Sequence, residues 1–308
     1  MIAALAGGVG AAKFLECLVP LIEPGDLTIV CNTGDDMTLW GLYLSPDVDI
    51  ILYTLAGIVD PVKGWGVRGD TFNTLAMMRQ YGLPDWFNLG DRDLATHIYR
   101  TALRHTGKTP SEITETLRRG LGVIARVLPM TDDPFETHVL TDSGRMHFQE
   151  YLVQRRALDT VQEVIYHTPL GARPAPGVLE AIAQADGVIL CPSNPLASIG
   201  PILSLAGVRD HLCATPAPVL AISPIVGGKT LKGPADRMMA GIGLETSARQ
   251  VAFLYQDFLD IFVLDQTDAD LQGDIEALGV SVLVTDTIMN TPEKKTDLAK
   301  VVLRALND

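Results

Sequence analysis

Asp35 and Asp36 stand together in Asn32-Thr33-Gly34-Asp35-Asp36, and Asp49 follows in Ser45-Pro46-Asp47-Val48-Asp49. Carboxylates gathered this way supply hard oxygen donors of the kind Mg²⁺ takes. Taken alone, an Asp-Asp pair in a loop is equally a solvated turn or a helix cap. Ahead of the acids lies Gly7-Gly8-Val9-Gly10-Ala11-Ala12-Lys13. Glycines let a phosphate approach the backbone closely, and the first turn of a helix offers free N–H donors to it. This run departs from GxGxxG, because position 13 is Lys, and from a P-loop, because Phe14 stands where Ser or Thr would hold magnesium. A glycine turn serving only chain geometry is the competing reading. Further on, Pro192-Ser193-Asn194-Pro195-Leu196-Ala197-Ser198-Ile199-Gly200 collects small hydroxyls, an amide and a glycine suited to hydrogen-bonding a nucleotide, and Ser223-Pro224-Ile225-Val226-Gly227-Gly228-Lys229 repeats the theme. Each by itself could be an ordinary turn between a strand and a helix. In Asn88-Leu89-Gly90-Asp91-Arg92-Asp93-Leu94-Ala95-Thr96-His97, Gly90-Asp91 reads as a helix start with acids in its first turn, and His97 reads as a packing histidine. Asp132-Asp133-Pro134 reads as a turn. No Ser-His-Asp order and no zinc-ligand spacing emerges, so nucleophilic acyl chemistry and zinc hydrolysis lack support.

These loops need a scaffold that brings them to one edge. Short apolar runs, Ile2–Ala6, Leu27–Cys31, Gly187–Cys191, Val219–Ser223, Asp260–Leu264 and Val280–Val284, read as strands. Helical patterns lie between them, over Ala11–Leu21, Pro176–Ala185, Ser247–Phe258, Asp268–Leu278 and Pro292–Leu306. Strand, helix, strand at this spacing predicts an α/β, doubly wound, mostly parallel Rossmann-like sheet. Residues 70–121 look mostly helical and 123–167 β-like, with a hairpin through Thr141-Asp142-Ser143-Gly144. The expected organisation is a core from 1–50 and 170–308, with 51–169 inserted as a mixed α+β subdomain.

Composition narrows the function classes. The 308 residues are 47% apolar, enough for a large core, and carry a net charge of −13 without the basic stripe of a nucleic-acid binder. No apolar run reaches the roughly 18 residues that span a bilayer. The N-terminus reads as a buried strand and not as a signal peptide. Cys17, Cys31, Cys191 and Cys213 lie far apart in apolar stretches, which predicts buried free thiols in a reducing, cytoplasmic setting.

Together the glycine loop Ala6–Phe14, the segment Asn32–Asp36, Ser45–Asp49, Gly64-Trp65-Gly66, Leu89–His97, Met146-His147-Phe148-Gln149 and Pro192–Pro195 resemble the 2-phospho-L-lactate transferase family (CofD, or FbiA in actinobacteria) of coenzyme F420 biosynthesis. The resemblance runs in order from residue 1 to about 290, and the Gly-Asp-Arg-Asp-x-Ala-Thr-His string carries most of its specificity. It implies a Mg²⁺-dependent, commonly dimeric enzyme. Such an enzyme moves a phospho-lactyl, phosphoenolpyruvyl or phosphoglyceryl group from a guanosine diphosphate donor onto the deazaflavin Fo, releasing GMP. By motif, Asp35 and Asp49 would hold the metal with Asp36 in support, and Asp49 would also contact the attacking hydroxyl. Asn88 matches a deazaflavin-contacting position where some members carry Lys. Gly8, Gly10, Lys13, Ser193 and Asn194 would hold the guanosine diphosphate portion.

The rival expectation is a non-enzymatic regulator that binds nucleotide sugars, from the related gluconeogenesis-factor family, which shares the glycine loop and sheet. In that family the acidic motif runs on into glycine and serine. Here Met37-Thr38-Leu39-Trp40 follows, and the later Gly-Asp-Arg-Asp string is present. A nicotinamide dehydrogenase is disfavoured, because the fingerprint is incomplete and the second strand ends in Asn-Thr-Gly without a ribose-binding acid.

Overall fold

The computed structural model describes residues 1–307. Seven parallel strands form its central sheet, in the order Ser281–Thr285, Ile261–Asp265, Val219–Ile222, Gly187–Leu190, β1 (Ile2–Ala6), β2 (Leu27–Cys31) and Arg126–Pro129. This is the α/β doubly wound arrangement expected, and every core strand runs parallel. Side chains alternate along each strand and feed two cores. Ala3, Leu5, Val30, Val188, Leu190 and Phe262 serve one face, and Ala4, Ala6, Ile29, Cys31, Ile189 and Val263 the other. Burial on both faces explains why these strands read as unbroken apolar runs.

The order in which the chain adds strands reverses between β1 and Gly187–Leu190, which themselves pair in parallel. From β1 the chain winds outward through β2 to Arg126–Pro129, then returns to the other side of β1 and winds the opposite way. The loops leaving the carboxyl ends of β1 and Gly187–Leu190 therefore diverge and open a crevice between them. Helix α1 (Gly8–Leu18) leaves β1 directly and packs on α2 (Pro46–Leu55) and on the helix Pro292–Ala305. The edge strand Arg126–Pro129 comes from within the 51–169 stretch.

Outside the sheet, the hairpin through Asp142-Ser143 joins Glu136–Thr141 to Gly144–His147, and Val161–His167 completes a three-stranded antiparallel sheet. The helices Asn73–Gln80 and Asp91–His105 cap each other. Asp91 accepts hydrogen bonds from the Asn73 and Thr74 N–H groups, while Asp70, just before the first helix, accepts from Arg92 and Asp93 N–H. Two expectations need correction. The stretch Asp268–Leu278 is no continuous helix: it breaks into a 3₁₀ turn and the short helix Gln272–Glu276, with Asp268 off helical geometry because its carboxylate accepts from Gly227 N–H. Of the four free cysteines only Cys31 and Cys191 are buried; Cys17 is half-buried, and Cys213 is exposed, facing Asp257 from the short helix Val208–Ala214. No helix among the described residues is long and apolar enough to cross a membrane.

Candidate active site

The crevice at this reversal of strand order opens into a cavity of about 750 Å³. Gly8, Gly10, Lys13, Asp35, Asp49, Asn88, Ser193 and Asn194, separated by up to 186 positions in the chain, all line it. So do Asp47, Asp93, His97 and Gln149.

One wall is acidic. β2 ends at Cys31, and the next residue, Asn32, turns its side chain back across the loop. Its Nδ2 donates to Asp35 Oδ1 at 3.2 Å and to Asp47 Oδ2 at 2.8 Å, so both carboxylates converge on one amide. Gln149 Nε2 donates to the other Asp35 oxygen at 2.8 Å, bringing in the segment just after the strand Gly144–His147. Asp47 reaches the cavity from the first turn of α2, where Pro46 fixes the start and the helix dipole favours acids. Asp36 turns away from the cavity: its carboxylate accepts from Ser45 Oγ at 2.7 Å and Tyr43 Oη at 2.8 Å. Asp35, Asp36 and Asp47 are nearly inaccessible to solvent, and no Lys or Arg pairs with any of them among the described residues. Burial therefore dominates their titration. It raises Asp35 well above the carboxylate range, with Asp47 adding repulsion, and pushes Asp47 up to about 6 and Asp36 up to about 8.

Asp49 lies two residues on from Asp47, which turns it about 200° around α2. It meets Arg100 of the helix Asp91–His105. Arg100 Nη1 donates to Oδ2 at 2.9 Å and Nη2 donates to Oδ1, a bidentate pair buried on both sides. Arg100 Nη1 also lies 3.2 Å from His97 Nδ1, His97 Nε2 lies 3.3 Å from Asp93 Oδ1, and Asp93 accepts from Tyr53 Oη at 2.8 Å.

The opposite wall carries no carboxylate among Gly8, Gly10, Ser193 and Asn194, and two lysines line the cavity near it, Lys13 and Lys232, whose Nζ donates to the Lys63 carbonyl at 2.7 Å. Gly8 opens α1 at φ +73°, a conformation that favours glycine. At Gly10 a Cβ would sit 2.2 Å from the Pro192 carbonyl oxygen, so this glycine lets α1 lie against the 192–194 loop. Ser193 Oγ is buried in the wall without a hydrogen-bond partner among the described residues. Asn194 Oδ1 is already engaged, accepting from Leu196 N–H at 2.9 Å and Ala197 N–H at 3.2 Å, where it caps the following helical turn. Asn88 is exposed at the cavity mouth.

The family model described as 2-phospho-L-lactate transferase CofD matches residues 2–295. The chain belongs to the CofD family. It is a transferase-type enzyme and shares 44% identity with a 2-phospho-L-lactate transferase of Methanothermobacter thermautotrophicus, over 98% of this chain and 97% of the relative. A phosphoenolpyruvate transferase of Kitasatospora aureofaciens is 42% identical, over 98% and 96%. Among solved structures, a Bacillus halodurans protein described as a member of the upf0052 family superposes with a TM-score of 0.62 at 15% identity over 98% of both chains, a likeness of fold alone.

Within this CofD-family site the carboxylates can be tested against a divalent cation. Asp35 and Asp47 present converging oxygens that have no basic partner, and burial leaves them poorly tolerant of their own charge. That is the environment a cation relieves. No group of three or more His, Cys, Asp or Glu is arranged to enclose a metal among the described residues. Two carboxylates completed by substrate oxygens and water suit Mg²⁺, which keeps few protein ligands. Asp49 fits less directly, because both its oxygens face the Arg100 fork. Asn32, Asp47, Gln149 and Arg100 carry no role in the sequence reading. The available signals were the helical spacing Asp93, His97, Arg100, which puts three polar side chains on one face, and Pro46 just before Asp47, marking a first turn.

Proposed function

We propose that this enzyme transfers a phosphorylated three-carbon acid group from a guanosine diphosphate donor to the deazaflavin Fo, giving a coenzyme F420-0 form and GMP. What supports the reading is the convergence of three phosphate-suited or acidic loops on one cavity whose volume, about 750 Å³, is in the upper part of the roughly 300–1,000 Å³ span of small-molecule sites. The terminal ribityl hydroxyl attacks the phosphorus bearing the acid, and the bond from that phosphorus to the GMP oxygen breaks in line. Backbone N–H groups of the glycine loop, Lys13 and the unpartnered Ser193 hydroxyl bind the diphosphate. Asn194 shapes the 193–198 turn that presents Ser193. Asp35 and Asp47 would hold Mg²⁺, which would withdraw charge from the phosphoryl oxygens. Asp49 accepts the hydrogen bond of the attacking hydroxyl and takes its proton as the new P–O bond forms. Phe87, Trp65 and Ile50 offer apolar surface to the deazaflavin ring, with Asn88 at the mouth, so the 51–169 stretch supplies much of the acceptor side. On the same reading the enzyme works in the cytoplasm as a homodimer.

The two relatives are named for different acids, phosphoenolpyruvate and 2-phospho-L-lactate, at nearly equal identities of 42% and 44%. Incubation with Fo, Mg²⁺ and, in separate reactions, lactyl, enolpyruvyl and glyceryl guanosine diphosphates, with mass detection of the deazaflavin product, tests the reaction and the acid together. Product from one donor supports the reading. No product from any donor, together with saturable binding of a UDP-sugar, overturns it in favour of the regulator.

A further inference from the structure

Four buried carboxylates, Asp35, Asp36, Asp47 and Asp49, crowd the ends of β2 and α2, yet a single buried guanidinium, Arg100, pairs with them, and it pairs with one only. Its hold on Asp49 is braced from behind. Arginine has no acceptor, so the contact of Nη1 with His97 Nδ1 requires a lone pair on Nδ1 and puts the imidazole proton on Nε2, which lies 3.3 Å from Asp93 Oδ1 but makes no hydrogen bond among the described residues. Asp93 is fixed in turn by the Tyr53 hydroxyl. Asp93, His97 and Arg100 lie at i, i+4 and i+7 of one helix, so a rigid element carries the whole brace. Arg100 itself does not line the cavity, whereas Asp49, Asp93, His97 and Tyr53 do.

We propose that Arg100 is a positioning residue which divides labour among these acids: by occupying Asp49 with its fork it withholds that carboxylate from the cation, leaves Asp35 and Asp47 as the metal pair, and aims Asp49 at the acceptor hydroxyl. The proposal rests on the cation-assisted transfer above. It has an unusual signature. A residue that only supports the fold would, when lost, weaken metal binding and turnover together. Loss of Arg100 removes positive charge from the acidic wall and frees a third carboxylate, so the cation binds more tightly while turnover falls.

The test compares full-length wild type, Arg100→Gln and Arg100→Lys, with folding checked by circular dichroism and Mn²⁺ binding measured by electron paramagnetic resonance without substrates. Arg100→Gln binds Mn²⁺ at least about threefold more tightly, since one nearby unit charge is removed from a partly screened site. Its kcat falls by at least about tenfold while the KM for the donor stays within about twofold. Arg100→Lys keeps the charge but loses the planar fork, so its Mn²⁺ affinity stays within about twofold of wild type while kcat still falls. Unchanged or weaker Mn²⁺ binding by folded Arg100→Gln overturns the proposal, as does wild-type kcat in either variant or loss of fold in both. Failure of wild type itself to bind Mn²⁺ sinks the cation-assisted reading and this inference with it, whereas failure confined to the variants sinks only the inference.

Discussion

The two walls of the cavity rise from strands on either side of β1, yet they handle polar groups in opposite ways. At the end of β2 the chain gathers Asp35, Asp36 and Asp47 in a buried space with no basic partner among the described residues. At the end of Gly187–Leu190 it places neutral groups, and one of them, Asn194, is fully occupied in capping its own turn. In this neutral segment the Ser193 hydroxyl is the buried side-chain group left without a partner among the described residues. The acidic wall is complete only when protons or a cation offset its charge. One side of the site is thus prepared by geometry and the other by charge left uncompensated, a division that suits phosphoryl transfer, where positioning and charge stabilisation do most of the catalysis.

Substitution on the acidic side should produce the largest effect. Asp35→Asn keeps the shape but removes the charge and leaves one acceptor where Asn32 and Gln149 each donate, and turnover should drop by roughly 10²–10³-fold. Steady-state kinetics with saturating Mg²⁺ measures it, and near-normal turnover would erase the distinction between the walls. A second measurement concerns stability. Asp47 and Asp36 are raised to about 6 and about 8 from an ordinary value of 3.8. The folded protein therefore retains protons that the unfolded chain has released, and this contribution is fully present below about pH 4 and is lost as pH rises through about 6 to 8. Without metal, Tm should fall across that window. Mg²⁺ should raise Tm most at the alkaline end, where it no longer competes with protons. A Mg²⁺ effect as large at pH 5 as at pH 8 would break the comparison. The smallest effect belongs to the neutral wall. Ser193→Ala removes a hydroxyl with no protein partner, so Tm should stay put, while the donor KM rises about fivefold for a lost hydrogen bond of about 1 kcal/mol. A fall in Tm of several degrees with unchanged KM would show that Ser193 belongs to the fold and not to the ligand.

Much of the scaffold was legible, because parallel strands buried on both faces leave unmistakable apolar runs and the loops after them mark the ligand edge. Arg126-Val127-Leu128-Pro129 was harder. It is only four residues long, and its β character was readable without any sign that it pairs with β2 instead of with the nearby hairpin. The candidate residues Gly8, Gly10, Lys13, Asp35, Asp49, Asn88, Ser193 and Asn194 face a common cavity, yet spacing along the chain could not assign their partners. Asp47 and Asp49 differ by two positions, and only the orientation of α2 sends one toward Asn32 and the other toward Arg100. Arg100 lies 51 residues from Asp49, and no local pattern announces so distant a pairing.

The reciprocal caps at Asp70 and Asp91 have a consequence for tolerance to change. Because each acid fastens the opening turn of the other's helix, residues 73–90 form an excursion whose two ends are stitched side by side. Its outer surface, with Met77, Tyr81 and Leu83 exposed, hangs outside that stitch. The mostly exposed part, residues 76–83, can therefore drift in length and sequence, or accept a graft, while Phe87, Asn88 and the helix bearing Arg100 stay in register; what such changes must keep is the pair of aspartates at the seam.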